Sequence, residues 1–195
     1  TTAASFARRL PGLKIARHDQ PRGKGAALRT GVDVCTAPVI AFSDADLSTP
    51  IDDLPRLLAA VVEGADVAVG SRRVPGGPIA QGRSALRNLT SAAFARLAEM
   101  VVGAGVRDTQ CGFKAFRRDA LSKILLEASV DGFAFDVEWL ALARLRRFRI
   151  VEVPVHWRDD ARSTVRLGGA VRDMFRDLWV VRRKLAAARG KARRA

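Results

Sequence analysis

The feature that most constrains this chain is an alternation of short apolar runs with segments of helical pattern. Pro38–Ser43 (PVIAFS) and Ala65–Gly70 (ADVAVG) are continuous apolar stretches of strand length, as expected of strands buried on both faces. Leu13–Arg17 and Cys111–Phe116 read as two further short strands. Ile150–Trp157 (IVEVPVHW) alternates like a strand, and Pro154 within it points to a sheet edge or a bulge. Helices are expected over Gly23–Cys35, Pro50–Glu63, Leu86–Val102, a short stretch ending near Glu127, Asp136–Arg146, and from Gly168 onward. The second carries start signals: Thr49 as N-cap, Pro50 at the first helical position, and Asp52 and Asp53 in the first turn. Pro75–Gly82 is a Pro/Gly-rich loop. The alternation predicts an α/β fold, a mostly parallel sheet flanked by helices, whose ligands bind outside the carboxyl ends of the strands.

A chain of 195 residues is long enough to bury a sizeable core in one domain. With 48% hydrophobic and 28% charged residues it is neither disordered, nor collagenous, nor a small disulfide scaffold. The 34 basic residues exceed the 20 acidic ones by 14, which suggests an anionic partner: nucleic acid, acidic lipid headgroups or phosphorylated substrates. Arg accounts for 28 of the basic residues and Lys for 6, a skew that a GC-rich genome also produces, so the charge weighs less than the motifs. Cys35 and Cys111 form no CxxC pair and read as two reduced thiols. No run approaches the roughly 20 apolar residues that span a bilayer, and no secretory signal is present.

Ser43-Asp44-Ala45-Asp46 is the strongest chemical signal. Two carboxylates at i and i+2, where a buried strand leaves the sheet, can converge on one hard cation whose shell is completed by phosphates and water. A solvated turn with two surface acids is the bland alternative. Arg22-Gly23-Lys24-Gly25 opens a helix; its glycines permit close backbone approach and a helix N-terminus favours anions. It matches neither a P-loop nor a dinucleotide fingerprint, and an ordinary loop is an equal alternative. Gly70-Ser71-Arg72-Arg73 ends a second buried strand, where Arg72 can neutralise phosphate or pair with the acids. Asp108 opens the segment DTQCGFK, and Asp136 and Glu138 lead a helix, where helix-dipole complementation would suffice to explain them. His18 and His156 have no ligand-spaced partners and read as structural, and Trp139 and Trp157 as core.

Residues Ser163–Ala195 hold ten Lys/Arg and two Asp, net +8. Val171, Met174, Phe175, Leu178 and Trp179 form one helical stripe. This helix either packs on the domain or lies on an anionic membrane, and different halves can do both.

Taken together, RGKGAALRTG, FSDADLSTP, GSR, DTQCGFKAF, FAFDVEWLALA and VEVPVHW, in that order, resemble the inverting family 2 glycosyltransferases that load a sugar onto a polyprenyl phosphate. The dolichyl-phosphate β-glucosyltransferase branch is the nearer likeness and the mannosyltransferases the next, from about Leu13 to Arg166. The resemblance implies a nucleotide-sugar-binding GT-A fold. It implies that Asp44 and Asp46 hold Mg²⁺ or Mn²⁺ on the donor diphosphate. Arg22, Gly23 and Lys24 would belong to the donor loop, and Arg72, Ser163 and Arg166 would lie near the donor or lipid phosphate. Asp108, Asp136 and Glu138 are the candidates for catalytic acid chemistry. The family's opening strand with a P-x-Y-N-E motif, and its second acidic motif, have no counterpart before Thr1–Arg9. The expectation is a catalytic domain over residues 1–167 lacking its first strands, followed by a basic amphipathic helix over 168–195, with poor solubility or negligible UDP affinity for residues 1–195 alone.

The implied reaction moves a hexose, from UDP-glucose in preference to GDP-mannose, to a polyprenyl phosphate on the cytoplasmic face of the membrane. A transferase making a soluble or polysaccharide product is the first alternative. A nucleic-acid-binding protein is the second; the charge fits it, but there is no Tyr, only 6% aromatic residues and no basic-aromatic platform, so no specific nucleic-acid partner is expected.

Overall fold

In the computed structural model, residues 6, 10–75, 96–100, 103, 105–157 and 167–192 are described, with side chains of the last helix described over 175–188. The elements in chain order are α1 (Lys24–Asp33), β1 (Val39–Phe42), a 3-10 turn (Ile51–Asp53) running into α2 (Leu54–Val62), β2 (Val67–Ser71), β3 (Lys114–Arg117), α3 (Arg118–Leu125), α4 (Phe135–Leu145), β4 (Ile150–Pro154) and α5 (Leu167–Ala192).

The four strands form one sheet in the order β1-β3-β2-β4. Both β1 and β2 run antiparallel to β3, and β2 runs parallel to β4. Three strands share one direction, but the opposing β3 lies between β1 and β2, so the sheet is mixed: β2–β4 is its parallel pair and the other two pairs are antiparallel, which corrects the expected mostly parallel sheet. Pro154 lies in β4 at a sheet edge, where a missing N–H costs no ladder bond.

The sheet separates two apolar layers. On one side Leu57 and Val61 of α2 pack with Ala68, Cys111, Phe113, Ala115, Val153 and Val155. On the other, Val67, Val69 and Phe116 meet Leu121 and Ile124 of α3, Trp139, Leu140 and Ala143 of α4, and Leu178, Val181 and Leu185 of α5. Residues alternate between layers along β2 and β3, as the period of a strand demands. Trp139 anchors the second layer, its ring edge-on to Phe135, Phe116 and Phe42 at centroid distances of 5.1, 5.9 and 6.1 Å.

Three further expectations are corrected. Pro38–Ser43 is not buried on both faces: Ala41 is exposed, because β1 is an edge in this sheet and α2 packs across β2, β3 and β4 instead. Leu13–Arg17 is no strand; it pairs with no described neighbour and leaves Leu13 and Ile15 exposed. Thr49 does not cap a helix: the segment starts as the 3-10 turn with Pro50 before it, and the Thr49 hydroxyl turns toward Cys111 Sγ, 4.0 Å away. The expected helix over Leu86–Val102 is described only at residues 96–100, which are helical.

Candidate active site at the carboxyl edge of the sheet

β1, β2 and β4 all end at one edge, and the antiparallel β3 begins there. Chain direction alone thus gathers Asp44, Arg72 and the Cys111–Lys114 segment, which lie far apart in sequence.

Asp44 follows β1 and accepts a hydrogen bond from Lys24 Nζ at 2.5 Å, with both side chains about one-third exposed. The Lys24 ammonium also stands over the Phe135 ring, 5.6 Å from its centroid. Gly112 is shaped by this carboxylate, since a Cβ there would overlap the carboxyl group of Asp44. Asp46 sits one turn farther out, exposed, with one oxygen taken by the backbone N–H of Ser48 at 3.0 Å. Leu47, directly after Asp46, adopts a left-handed φ of 52°, and its backbone N–H donates to the Asp44 carbonyl.

Beneath them lies a pair of which the sequence singled out only the acid, Asp136, and not its partner Lys114. Lys114, at the start of β3, is 1% exposed. Its ammonium donates to Asp136 Oδ1 and to the Cys111 carbonyl, each at 2.6 Å. Burial pushes the Asp136 carboxyl above its ordinary value; Lys114 and Lys24 pull it part of the way back, while Asp44 pushes it farther up. Asp136 is therefore electrostatically joined to the Lys24–Asp44 pair. The signal for Lys114 was a basic residue inside an apolar strand, which stays buried only if paired.

Beside this group, Arg72 grips Asp108 through two parallel bonds, Nε to Oδ2 at 2.6 Å and Nη2 to Oδ1 at 2.7 Å. The Arg72 backbone N–H adds a third bond to Oδ2 at 3.0 Å. Burial pushes Asp108 up, but the Arg72 hydrogen bonds and charge outweigh it and hold the carboxyl below its ordinary value. Arg72 in turn is raised: burial lowers it, and Asp108 more than compensates. Trp157 lies under the guanidinium at 5.7 Å, which brings this tryptophan to the site and not to the core. Glu152 of β4 accepts the backbone N–H groups of Arg107 and Asp108 and fixes the loop.

The candidate acids thus separate. Asp108, 2% exposed, is committed to Arg72 and stays ionised. Glu138 does not face the site. It is fully buried, and its oxygens accept from Ser129 N and Oγ, Val130 N and Lys184 Nζ, so its expected acid role is replaced by a structural one. Asp136 alone of the three joins the Asp44 cluster. The RGKG reading also changes. Gly25 N and Ala26 N both point at the Asp131 carbonyl, at 2.8 and 3.4 Å, so these amides hold a protein loop and not a ligand anion. Gly23 (φ 105°) and Gly25 lack side chains because a Cβ at either would strike the backbone of residues 130–131. Arg22 is exposed on an open cleft of about 460 Å³ that also includes Arg17, His18, Lys24 and Thr30. His18 bonds Thr30 Oγ1 at 2.8 Å, and His156 closes on the buried Asp53, Nδ1 to Oδ1 at 3.0 Å, as structural histidines do. Ser163 and Arg166 lie outside the described residues.

The family model described as Glycosyl transferase family 2 matches residues 2–125. The chain belongs to this family. Among similar proteins, the dolichyl-phosphate beta-glucosyltransferase of Saccharomyces cerevisiae is 33% identical over 182 residues, covering 87% of this chain and 54% of its own. The human dolichyl-phosphate beta-glucosyltransferase is 37% identical over 143 residues, 70% of this chain and 44% of that one. The polyprenol monophosphomannose synthase of Mycolicibacterium smegmatis is 35% identical over 191 residues, 93% and 71% respectively. The chain spans about half the length of the two glucosyltransferases. The fold matches crystal structures of glucosyl-3-phosphoglycerate synthase from Mycobacterium tuberculosis: one with uridine diphosphate (TM-score 0.59, 20% identity, 90% of this chain and 59% of that chain). Another holds Mn²⁺, UDP-glucose and phosphoglyceric acid (TM-score 0.59, 18% identity, the same coverage). The GT-A-like architecture expected from the motifs is the architecture found.

The donor set suits a hard divalent ion that brings its own phosphates. Among the described residues no three His, Cys, Asp or Glu side chains cluster to cage a metal unaided. Asp44 and Asp46 supply two hard carboxylates at one strand exit, the first packed directly against Gly112 and already bonded to Lys24.

Proposed function

We propose that this protein transfers a hexose from a nucleotide sugar to a polyprenyl phosphate, inverting the anomeric carbon, with UDP-glucose as donor. The observation that carries the reading is the convergence of Asp44, Lys24, Lys114, Asp136 and Arg72 at the carboxyl edge of the sheet. The kinship with dolichyl-phosphate glucosyltransferases supplies the substrate class. A mannosyl donor is the second reading, favoured by the likeness to the polyprenol monophosphomannose synthase.

In this mechanism Asp44 and Asp46 would hold Mg²⁺ or Mn²⁺, which would supply charge neutralisation for the leaving diphosphate. Lys24 and Arg72 add fixed positive charge where that negative charge develops, already oriented by Asp44 and Asp108. The acceptor needs little base catalysis, because a phosphate monoester with a second pKa of about 6 is largely ionised at neutral pH. That fits a site whose carboxylates are occupied: Asp108 by Arg72 and Asp136 by Lys114. Ser163 and Arg166 are proposed to complete the phosphate contacts.

We further propose that α5 rests on the anionic cytoplasmic face of the membrane. No helix among the described residues is long and apolar enough to cross one. Phe175 and Trp179, 53% and 59% exposed, stand one helical turn apart, and Arg183 stacks on Trp179 at 4.7 Å. The neighbouring stripe, Leu178, Val181 and Leu185, is committed to the core, so the single stripe expected from the sequence is divided: Leu178 turns inward while Phe175 and Trp179 stay exposed.

The test is incubation of the full-length protein with polyprenyl phosphate, Mn²⁺ and radiolabelled UDP-glucose or GDP-mannose, followed by organic extraction. Label from UDP-glucose is expected in the organic phase. Label that stays aqueous with both donors would overturn the lipid acceptor.

A further inference from the structure

α5 is predominantly basic, yet two of its charges turn inward: Asp177, 13% exposed against Gly132, and Lys184. Lys184, 28% exposed, donates to Glu138 Oε1 at 2.6 Å, to Ser129 Oγ at 2.7 Å and to the Glu127 carbonyl. Glu138, with no exposure at all, spends its remaining capacity on Ser129 N (2.9 and 3.0 Å) and Val130 N (2.8 Å). The loop so gripped continues into Asp131, whose carbonyl receives Gly25 N, while the Val130 carbonyl receives Arg29 Nη1 at 3.0 Å. Arg29 also pairs with the Asp131 carboxylate. Gly23 and Gly25 meet this loop so closely that neither tolerates a Cβ, and between them stands Lys24, on Asp44. Hydrogen bonds linked by short stretches of backbone therefore run from α5 to the carboxylate at the centre of the candidate site.

We propose that Lys184 and Glu138 are a positioning pair: by clamping residues 129–131 they fix the start of α1, and with it the placement of Lys24 on Asp44, so that docking of α5 sets donor affinity. The proposal rests on the donor reading only for its consequence at the nucleotide; the clamp itself is independent of substrate. Neither residue touches substrate. Their effect is transmitted through backbone groups that have two carbonyl acceptors and two glycines to hold them, a contact with no slack.

Amide hydrogen exchange on the full-length protein reads the clamp directly. In Lys184→Met the Gly25 and Ala26 amides are expected to exchange at least tenfold faster, with the β2 amides at the wild-type rate. The Kd for UDP in Mn²⁺ is expected to rise at least fivefold. Because Lys184→Met leaves a buried carboxylate without its cation and is at risk of unfolding, Glu138→Gln/Lys184→Met provides a folded comparison in which the tie to α5 is cut and no charge is stranded. It should show the same selective exchange at Gly25 and Ala26. Wild-type exchange at those two amides in the double variant overturns the proposal. So does an equal acceleration in β2, which marks general destabilisation. If wild type binds no UDP, the donor reading fails, and the exchange rates still decide the clamp.

Discussion

Breaking the Arg72–Asp108 pair offers the most informative perturbation of the site's framework. Asp108 is 2% exposed and the Arg72 side chain 19%, so neither charge is well solvated. Replacing Asp108 by Asn keeps an acceptor for the Arg72 backbone N–H but strands the guanidinium. Removing one partner of such a buried pair costs about 3–5 kcal/mol, and the retained acceptor favours the lower figure. For a chain of this size each kcal/mol moves Tm by roughly 2–4 °C, so a fall of about 6–12 °C is expected. The pH dependence carries a sign. The Asp108 carboxyl is held below its ordinary value, so its stabilisation is present above the unfolded value of about 3.9 and is lost as pH falls through the lower folded one. Wild type should lose that contribution below about pH 4, and Asp108→Asn, having none to lose, should show a flatter acid limb. Arg72→Met/Asp108→Leu, with no stranded charge, should recover much of the loss. The assay is scanning calorimetry from pH 3 to 7. Single variants each within about 1 kcal/mol of wild type, with acid limbs unchanged, would refute the reasoning.

Gly112→Ala should misplace Asp44, since the new methyl occupies the carboxylate's position; overpacking of this kind costs about 1–3 kcal/mol, and metal-dependent UDP affinity measured by calorimetry should fall by more than stability does. Trp139→Phe should change stability by about 1 kcal/mol or less, because the lost ring volume is offset by removing a buried indole N–H that has no partner among the described residues; a chemical denaturation curve checks it. Phe175→Ala/Trp179→Ala should weaken binding to anionic vesicles at low salt while leaving the folded core intact; equal co-sedimentation with wild type would remove α5 from the membrane account.

Much of this arrangement was legible in the residues. Continuous apolar runs locate β1 and β2, and a DxD motif at a strand exit locates the ligand edge, because both signals are local. Pro154 marked an edge for the same reason: a missing N–H is a property of one residue. What was not legible depends on partners distant in sequence. Cys111–Phe116 looks like any other buried strand, and nothing within it says that it runs against its neighbours. Gly23 and Gly25 announce close approach, yet only the fold reveals that residues 130–131 are what approach them. Glu138 resembles Asp136, two residues away on the same helix, but a step of two rotates it to the opposite side, toward Ser129 and Lys184. Lys184 resembles every other cation of α5 until its neighbours are known.

The central claim is that Asp44 and Asp46 hold the metal against the donor diphosphate during transfer to a lipid phosphate. The most direct measurement is metal-dependent turnover of the full-length protein with polyprenyl phosphate, comparing wild type with Asp44→Asn and Asp46→Asn. Loss of one carboxylate from the clamp is expected to raise the barrier by about 3 kcal/mol, on the order of a hundredfold in rate, with Tm within a few degrees of wild type. Near-normal rates that still rise with Mn²⁺ in both variants would contradict it and reduce the DxD to a surface turn.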